Sequence, residues 1–179
     1  MTDEGFVNPQ ELMTRIGIQE GMQVADFGSG SGEIAIMIAN LVGETGRVTA
    51  LDVLPSALES VSAKAKRLDL KNVTSVRANL EVLGSSTLGD NSQDVVFLAN
   101  ILWQTSKKKE VLEEASRIVK SGGKISSVEW NKNENPAGPP TAMRIGAEEL
   151  RALMERVGLA FVETFPAGGF HYGLLMKKP

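Results

Sequence analysis

Asp26 and Asp52 are the two side chains around which the chemistry of this 179-residue sequence gathers. Asp26 lies within the apolar run "VADF", two residues before the first glycine, and the stretch behind it, "GSGSG", sets glycines at 28, 30 and 32. Asp52 closes a second apolar run, "VTALD", twenty residues beyond Gly32. Gly28 and Gly30 let the chain turn tightly and let its backbone approach a ligand with no Cβ in the way. Gly32 lets the next helix lie close to the sheet with its first amides toward the crevice. Glycines at these positions would also suit a plain flexible turn. The acids narrow the choice. A carboxylate beside the glycine turn repels a pyrophosphate and suits a ligand with an ammonium group, and an acid at the tip of the second strand is placed to accept from ribose hydroxyls. The dinucleotide fingerprint needs a glycine where Glu33 stands, and no Lys-Ser or Lys-Thr follows the loop as a P-loop requires. The pattern predicts a nucleoside that carries an amino acid, not a nucleotide phosphate. A plainer alternative stays open for each acid alone: Asp26 as a cap of the helix behind the loop, and Asp52 as the start of a turn before Pro55.

The elements that position these residues follow from hydrophobic periodicity. Strand patterns run over Met22–Phe27, Arg47–Leu51, Val73–Arg77, Asp94–Ala99, Lys124–Glu129, Ala160–Phe165 and Phe170–Met176. A helix is predicted at Pro9–Ile16, and another behind the glycines, apolar almost all round and therefore buried. Further helices carry Leu58, Val61, Ala65 and Leu68; then Val111, Leu112, Ala115, Ile118 and Val119; then Leu150, Leu153, Met154 and Val157, with Gly158 placed to end the last. This alternation predicts an α/β three-layer sandwich, a mostly parallel seven-stranded sheet with helices on both faces. Only "PAGG" joins the final two strands, which leaves no room for a helix and makes that pair an antiparallel hairpin. A single domain over residues 1–179 is expected.

Composition removes several function classes. With no cysteine, disulfides, thiolate metal sites and cysteine nucleophiles are absent, and the single histidine, His171, cannot build a zinc cluster, so no metal is expected. A formal net charge of −3 offers no surplus for a nucleic-acid backbone. The one basic run, Lys107 to Lys109, reads as the solvated first turn of a helix. No apolar stretch approaches the roughly 20 residues of a membrane span. Residues 1–20 lack the apolar centre of a signal peptide, so a cytoplasmic location is expected. Nothing in the sequence speaks to oligomeric state.

"VADFGSGSG", "VTALDV", "VRANLEVL", "DVVFLANIL" and "RIVKSGGKISSVEW" together resemble the successive motifs of class I S-adenosylmethionine-dependent methyltransferases, in that family's order and over essentially the whole chain. The likeness is to its small, single-domain, UbiE-like members. It implies the sheet order 3-2-1-4-5-7-6 with the seventh strand antiparallel, and S-adenosyl-L-methionine as cofactor. It further implies that Asp26, Gly28 and Gly30 hold the methionine portion, with Ser29 lining the turn and Gly32 starting the helix. Asp52 takes the ribose hydroxyls, and Val53 and Leu54 pack on adenine. Leu80 offers its backbone amide to the adenine ring, and Asn100 stands beside the sulfonium. Asn79 departs from the family, which has an aspartate there. Its carbonyl oxygen can still accept from the adenine amino group, at a cost of about 1 kcal/mol in binding.

Methyl transfer is an in-line displacement in which the protein mainly orients the reactants and excludes water, so no catalytic triad is needed. The acceptor is expected beyond the fourth and fifth strands. Asn100, Trp103 and Gln104 lie in "NILWQ"; Glu129, Trp130, Asn131, Lys132, Glu134 and Arg144 lie in or around the long loop "EWNKNENPAGPPTAMRIG", which has the makings of a lid. That loop resembles one in small bacterial and archaeal methyltransferases where a Gly-Pro-Pro and a downstream Arg recur. Trp103 is either pocket wall or core. Glu129, His171 and Asn100 are the candidate catalytic residues. A small-molecule acceptor is the leading reading; a protein or RNA methyltransferase and an inactive cofactor-binding sensor are the alternatives. A short-chain oxidoreductase is excluded, because its Tyr-x-x-x-Lys pair is missing: the only tyrosine, Tyr172, is followed four residues on by Met176.

Overall fold

The computed structural model describes residues 9–133 and 137–179. Its elements run α1 (Pro9–Ile16), β1 (Gln23–Phe27), α2 (Glu33–Val42), β2 (Arg47–Asp52), α3 (Pro55–Arg67), β3 (Val73–Arg77), β4 (Gln93–Ala99), α4 (Lys108–Ile118), β5 (Val119–Trp130), α5 (Ala147–Arg156), β6 (Ala160–Pro166) and β7 (His171–Lys177), with short 3-10 turns at Leu102–Gln104 and Thr141–Met143. The sheet order is β3-β2-β1-β4-β5-β7-β6, parallel except for β7, which is antiparallel to both its neighbours. This is the methyltransferase architecture that the motifs implied. The hairpin between β6 and β7 is closed by the Ala167 amide donating to the His171 carbonyl at 3.1 Å.

Each face of the sheet carries its own apolar layer. Leu112, Ile118, Leu150 and Met154 of α4 and α5 cover Val96, Leu98, Ile125 and Leu174 on one side. On the other, Leu12, Ile16, Ile38 and Val61 of the first three helices cover Val24, Val95, Phe97 and Leu175. Because β1 and β4 are buried on both faces, their sequences read as nearly continuous apolar runs, whereas β5 also buries Ser126, Ser127 and Glu129. The parallel strands all deliver their last residues to one edge, and that geometry brings Asp26, Asp52 and Asn100 together.

β5 starts earlier than its pattern predicts, at Val119 instead of Lys124. Val119 pairs with Gln93, the register then shifts, and Lys124 pairs with Val95. The residues between form a bulge, with Gly122 at φ 80°. Val119 is fully buried, so at the sequence level it reads equally well as the last apolar residue of α4.

The irregular chain between β3 and β4 is organised by one acid. Glu114 of α4 is fully buried and accepts from the Gly84 amide (2.8 Å), the Ser86 amide (3.2 Å), the Ser86 hydroxyl and the Arg117 guanidinium (2.9 and 2.7 Å). Burial alone would push its carboxyl up, but the donors from Arg117, Ser86 and Gly84 hold it down at about 2. A depressed carboxyl stabilises the fold above its ordinary pKa of 4.5, and that contribution is lost as pH falls through about 2. Glu114→Gln is expected to lower unfolding free energy by roughly 3 kcal/mol at pH 7. In urea titrations the gap to wild type should narrow between pH 4 and pH 2.

Candidate functional site

A cleft of about 690 Å³ opens at the carboxyl edge of the sheet, within the ~300–1,000 Å³ typical of small-molecule sites. Eight of the expected binding residues line it: Gly28, Gly30, Asp52, Val53, Leu54, Asn79, Leu80 and Asn100. Asp26, Ser29 and Gly32 are buried and do not line it. No lysine or arginine is among its lining residues. A second cavity of about 530 Å³ lies around Gly43, Arg47, Asp69 and Asn72. There Lys71 pairs with Asp69 and Arg47 donates to Thr74.

Local geometry assigns the three loop glycines different tasks. A Cβ on Gly28 would fall 2.3 Å from Ile101 Cγ2, and one on Gly32 would fall 2.8 Å from Val61 Cγ2. Gly28 therefore admits the chain leaving β4, while Gly32 admits α3; the close approach at Gly32 comes from a neighbouring helix, where the sequence suggested the sheet. Gly30 differs. A Cβ there would meet nothing closer than the Gly28 carbonyl oxygen at 4.0 Å, so the space beside it is open.

Asp52 joins the loop to the tip of β2. Its Oδ2 accepts from the Gly30 amide at 3.0 Å and its Oδ1 from the Leu54 amide at 2.9 Å. The turn-forming role left open for it is thus real, and it coexists with a place on the cleft wall. Val53 and Leu54 beside it are 53% and 59% exposed, an apolar ledge that a flat ring would cover. Asn79 directs its Oδ1 to the Glu81 amide at 3.1 Å, which leaves one lone pair for a ligand.

Asp26 and Asn100 carry the signs of an absent partner. Asp26 is 2% exposed, and its Oδ2 has no hydrogen-bond partner among the described residues. Burial, with the Asp52 carboxylate adding to it, pushes its pKa up to about 7. Asn100 adopts φ 56° just past β4, a left-handed conformation that strains a non-glycine residue. Its main chain is pinned by the amide bond to Val128 (2.8 Å) and by Gln104 Nε2 donating to its carbonyl (2.7 Å), while its buried Oδ1 has no partner among the described residues. Two unsatisfied buried oxygens and a nearby second carboxylate call for a ligand that donates hydrogen bonds and carries positive charge. These two acceptor oxygens fit the ammonium end of S-adenosylmethionine.

The family described as "Methyltransferase domain" matches residues 18–160. This chain belongs to that family. The methyltransferase domain is 32% identical over 117 residues to the ubiquinone/menaquinone biosynthesis C-methyltransferase UbiE of Klebsiella pneumoniae, a match covering 65% of this chain and 45% of that protein. The chain thus spans about half the length of such relatives. A crystal structure of a SAM-dependent methyltransferase from Aquifex aeolicus superimposes with a TM-score of 0.88 at 27% identity, covering 96% of this chain and 89% of that one. The [4+2]-cyclase SpnF shares the fold at 17% identity, with a TM-score of 0.82 and coverage of 96% and 80%. Membership in the methyltransferase family brings S-adenosylmethionine as the cofactor.

On the acceptor side the methyltransferase brings only Asn100 of the three catalytic candidates into the cleft. Glu129 is 1% exposed, and its Oε1 accepts from the Leu102 amide at 3.0 Å, holding the 3-10 turn against β5. Burial, opposed by the amides of Leu102 and Ile101, pushes its carboxyl up to about 7. His171 is buried against the Trp130 ring at 4.1 Å, and burial together with the Arg144 charge pushes it down to about 4, so it is neutral at physiological pH. Trp103 is half-buried and does not line the cleft, and Glu134 lies outside the described residues. Sequence reasoning missed Ala78, Glu81, Ile101, Thr105 and Val111 as cleft walls. Thr105 donates to Glu81 at 2.6 Å, joining the chain after β3 to the chain after β4, and no motif marks either residue. Lys107 approaches the same Glu81 at 3.7 Å and Lys109 pairs with Glu113 at 3.0 Å, so two members of the basic run are spent on ion pairs.

Proposed function

We propose that residues 1–179 act as a single cytoplasmic methyltransferase domain that methylates a small-molecule acceptor. The carrying observation is the cleft's charge: acids at the tips of β1 and β2, an unpartnered buried carboxylate oxygen at Asp26, and no basic residue in the lining. A phosphate-bridged dinucleotide would be repelled there, and a cation with an amino-acid tail would be held. Asp26 and Asn100 would take the ammonium group, Gly28 and Gly30 would pass the tail beside the backbone, and Ser29 and Gly32 would shape the turn. Asp52 would hold the ribose, Val53 and Leu54 would cover adenine, and Asn79 and Leu80 would border its edge. When bound, the cofactor supplies a methyl carbon whose bond to sulfur breaks as the acceptor's lone pair attacks, leaving a neutral thioether. The chain's own contribution would be orientation: the ledge, the ribose acid and the Asp26–Asn100 pair would fix three points of one ligand.

The UbiE relatives act in quinone biosynthesis, as their name states, and a reduced quinone ring is accordingly the first acceptor to test. Calorimetry with S-adenosylmethionine, followed by S-adenosylhomocysteine release over a panel of reduced naphthoquinones, phenols and amines, tests the reading. Cofactor binding with acceptor-dependent release supports it. Binding of NAD+ in place of S-adenosylmethionine would overturn it, and binding without release on any acceptor, RNA or protein would leave a sensor. Asp52→Ala should weaken cofactor binding about 50-fold through lost charge-assisted bonds, and cost roughly 1–3 kcal/mol of stability through the freed Gly30 and Leu54 amides. Calorimetry and thermal unfolding read the two effects separately.

A further inference from the structure

Arg144 is a buried charge outside the lining of the cleft. It is 4% exposed, and among the described residues no carboxylate pairs with it. Its guanidinium serves main-chain carbonyls instead: Nε donates to Pro139 at 2.8 Å, Nη1 to Asn131 at 2.9 Å and Asn133 at 3.1 Å, and Nη2 to Ala137 at 2.8 Å. A buried cation is tolerated only when its donors are satisfied, and here four carbonyls of one connection converge on it. The same guanidinium lies 5.6 Å from the centre of the Trp130 ring. Gly138, at φ 80°, packs so close to that ring that a Cβ would fall 2.6 Å from it. Trp130 in turn lies against His171, the two rings 4.1 Å apart. The described residues of the connection, Trp130 and His171 thus pack together where β5 ends and β7 begins.

We propose that Arg144 is the positioning residue of the acceptor side: it gathers the main chain at Asn131, Asn133, Ala137 and Pro139 onto Trp130 as a standing wall, so that the acceptor meets a rim already built. This rests on the methyl-transfer reading, because the β5 edge faces an acceptor only if the neighbouring cleft holds the cofactor. Lysine cannot replace Arg144, since a point ammonium lacks the planar fork that reaches carbonyls in several directions. In the sequence this connection has the makings of a lid; in the proposal it is a fixed wall.

The test uses the full chain with Arg144→Lys and Arg144→Met, and S-adenosylmethionine as the only ligand. Backbone NMR order parameters at Asn131, Asn133, Ala137 and Gly138 should be about 0.85 in the wild type, with or without cofactor, and should fall below about 0.6 in both variants. The dissociation constant for S-adenosylmethionine should stay within about twofold, because Arg144 touches no cleft residue. His171, the sole histidine, should titrate higher by more than about half a unit in Arg144→Met, where both the charge and the covering wall are lost, and by less in Arg144→Lys. Low order parameters in the wild type, a lysine variant as ordered as the wild type, or an unmoved His171 would each overturn the proposal. Should the methionine variant not fold, the lysine variant alone decides it. A wild type that fails to bind S-adenosylmethionine sinks the methyl-transfer reading, while the order parameters still report on Arg144.

Discussion

Gly30→Val is expected to remain folded and to lose S-adenosylmethionine binding by more than about a thousandfold in calorimetry. Gly30 has φ 49°, and nothing but the Gly28 carbonyl oxygen, 4.0 Å away, would meet a Cβ there. Valine would therefore cost about 1–2 kcal/mol of backbone strain without a clash inside the protein. Its methyl groups would occupy the room the cofactor's tail requires. The neighbouring glycines supply the control. Alanine at Gly28 or Gly32 would press on Ile101 at 2.3 Å or Val61 at 2.8 Å, so those variants should lose stability first. Urea titration beside calorimetry separates the two behaviours. Wild-type affinity in Gly30→Val would show that the ligand does not pass this point.

Asp26→Asn is expected to weaken cofactor binding about a hundredfold and to flatten its dependence on pH. The wild-type carboxyl is pushed up to about 7 by burial and by Asp52, so below that pH the group that should meet the ammonium is neutral. With only the ionised fraction competent to bind, wild-type affinity should rise about tenfold between pH 6 and pH 8. The sign for stability is the reverse. A carboxyl raised above its ordinary 3.8 contributes stability fully below that value, and the contribution is lost as pH rises through about 7. The ligand-free asparagine variant should thus be more stable than wild type by a few kcal/mol at pH 8 and gain little at pH 4. Greater stability and weaker binding from one substitution is the signature of a group held in place for a ligand. An asparagine variant that binds as tightly as wild type would remove Asp26 from the site.

The sheet was legible because its central strands β1 and β4 are apolar runs buried on both faces and its turns are marked by glycine. Asp26, the glycine loop and Asp52 stood out by their types and spacing, while Asn100 came only with the family resemblance. What those residues do for the protein itself was not legible. Gly28 and Gly32 make room for Ile101 and Val61, side chains 73 and 29 positions further along the chain. Arg144 acts through main-chain carbonyls, which every residue possesses and no sequence pattern records. Glu129 looked like an acceptor contact because it ends a strand at the rim. The 3-10 turn at Leu102–Gln104, which closes over it, has no composition signal of its own.

The reversed polarity of β7 has a practical result. Its first residue, His171, stands at the edge where the parallel strands finish, so its last, Lys177, stands at the opposite edge. Lys178 is fastened there to Asn91, Ser116 and Val119. Seven residues of extended chain span roughly 20 Å. A biotin or fluorophore carried at this opposite edge would leave the mouth of the cleft facing bulk solution, which makes that edge the natural anchor for surface-captured binding measurements.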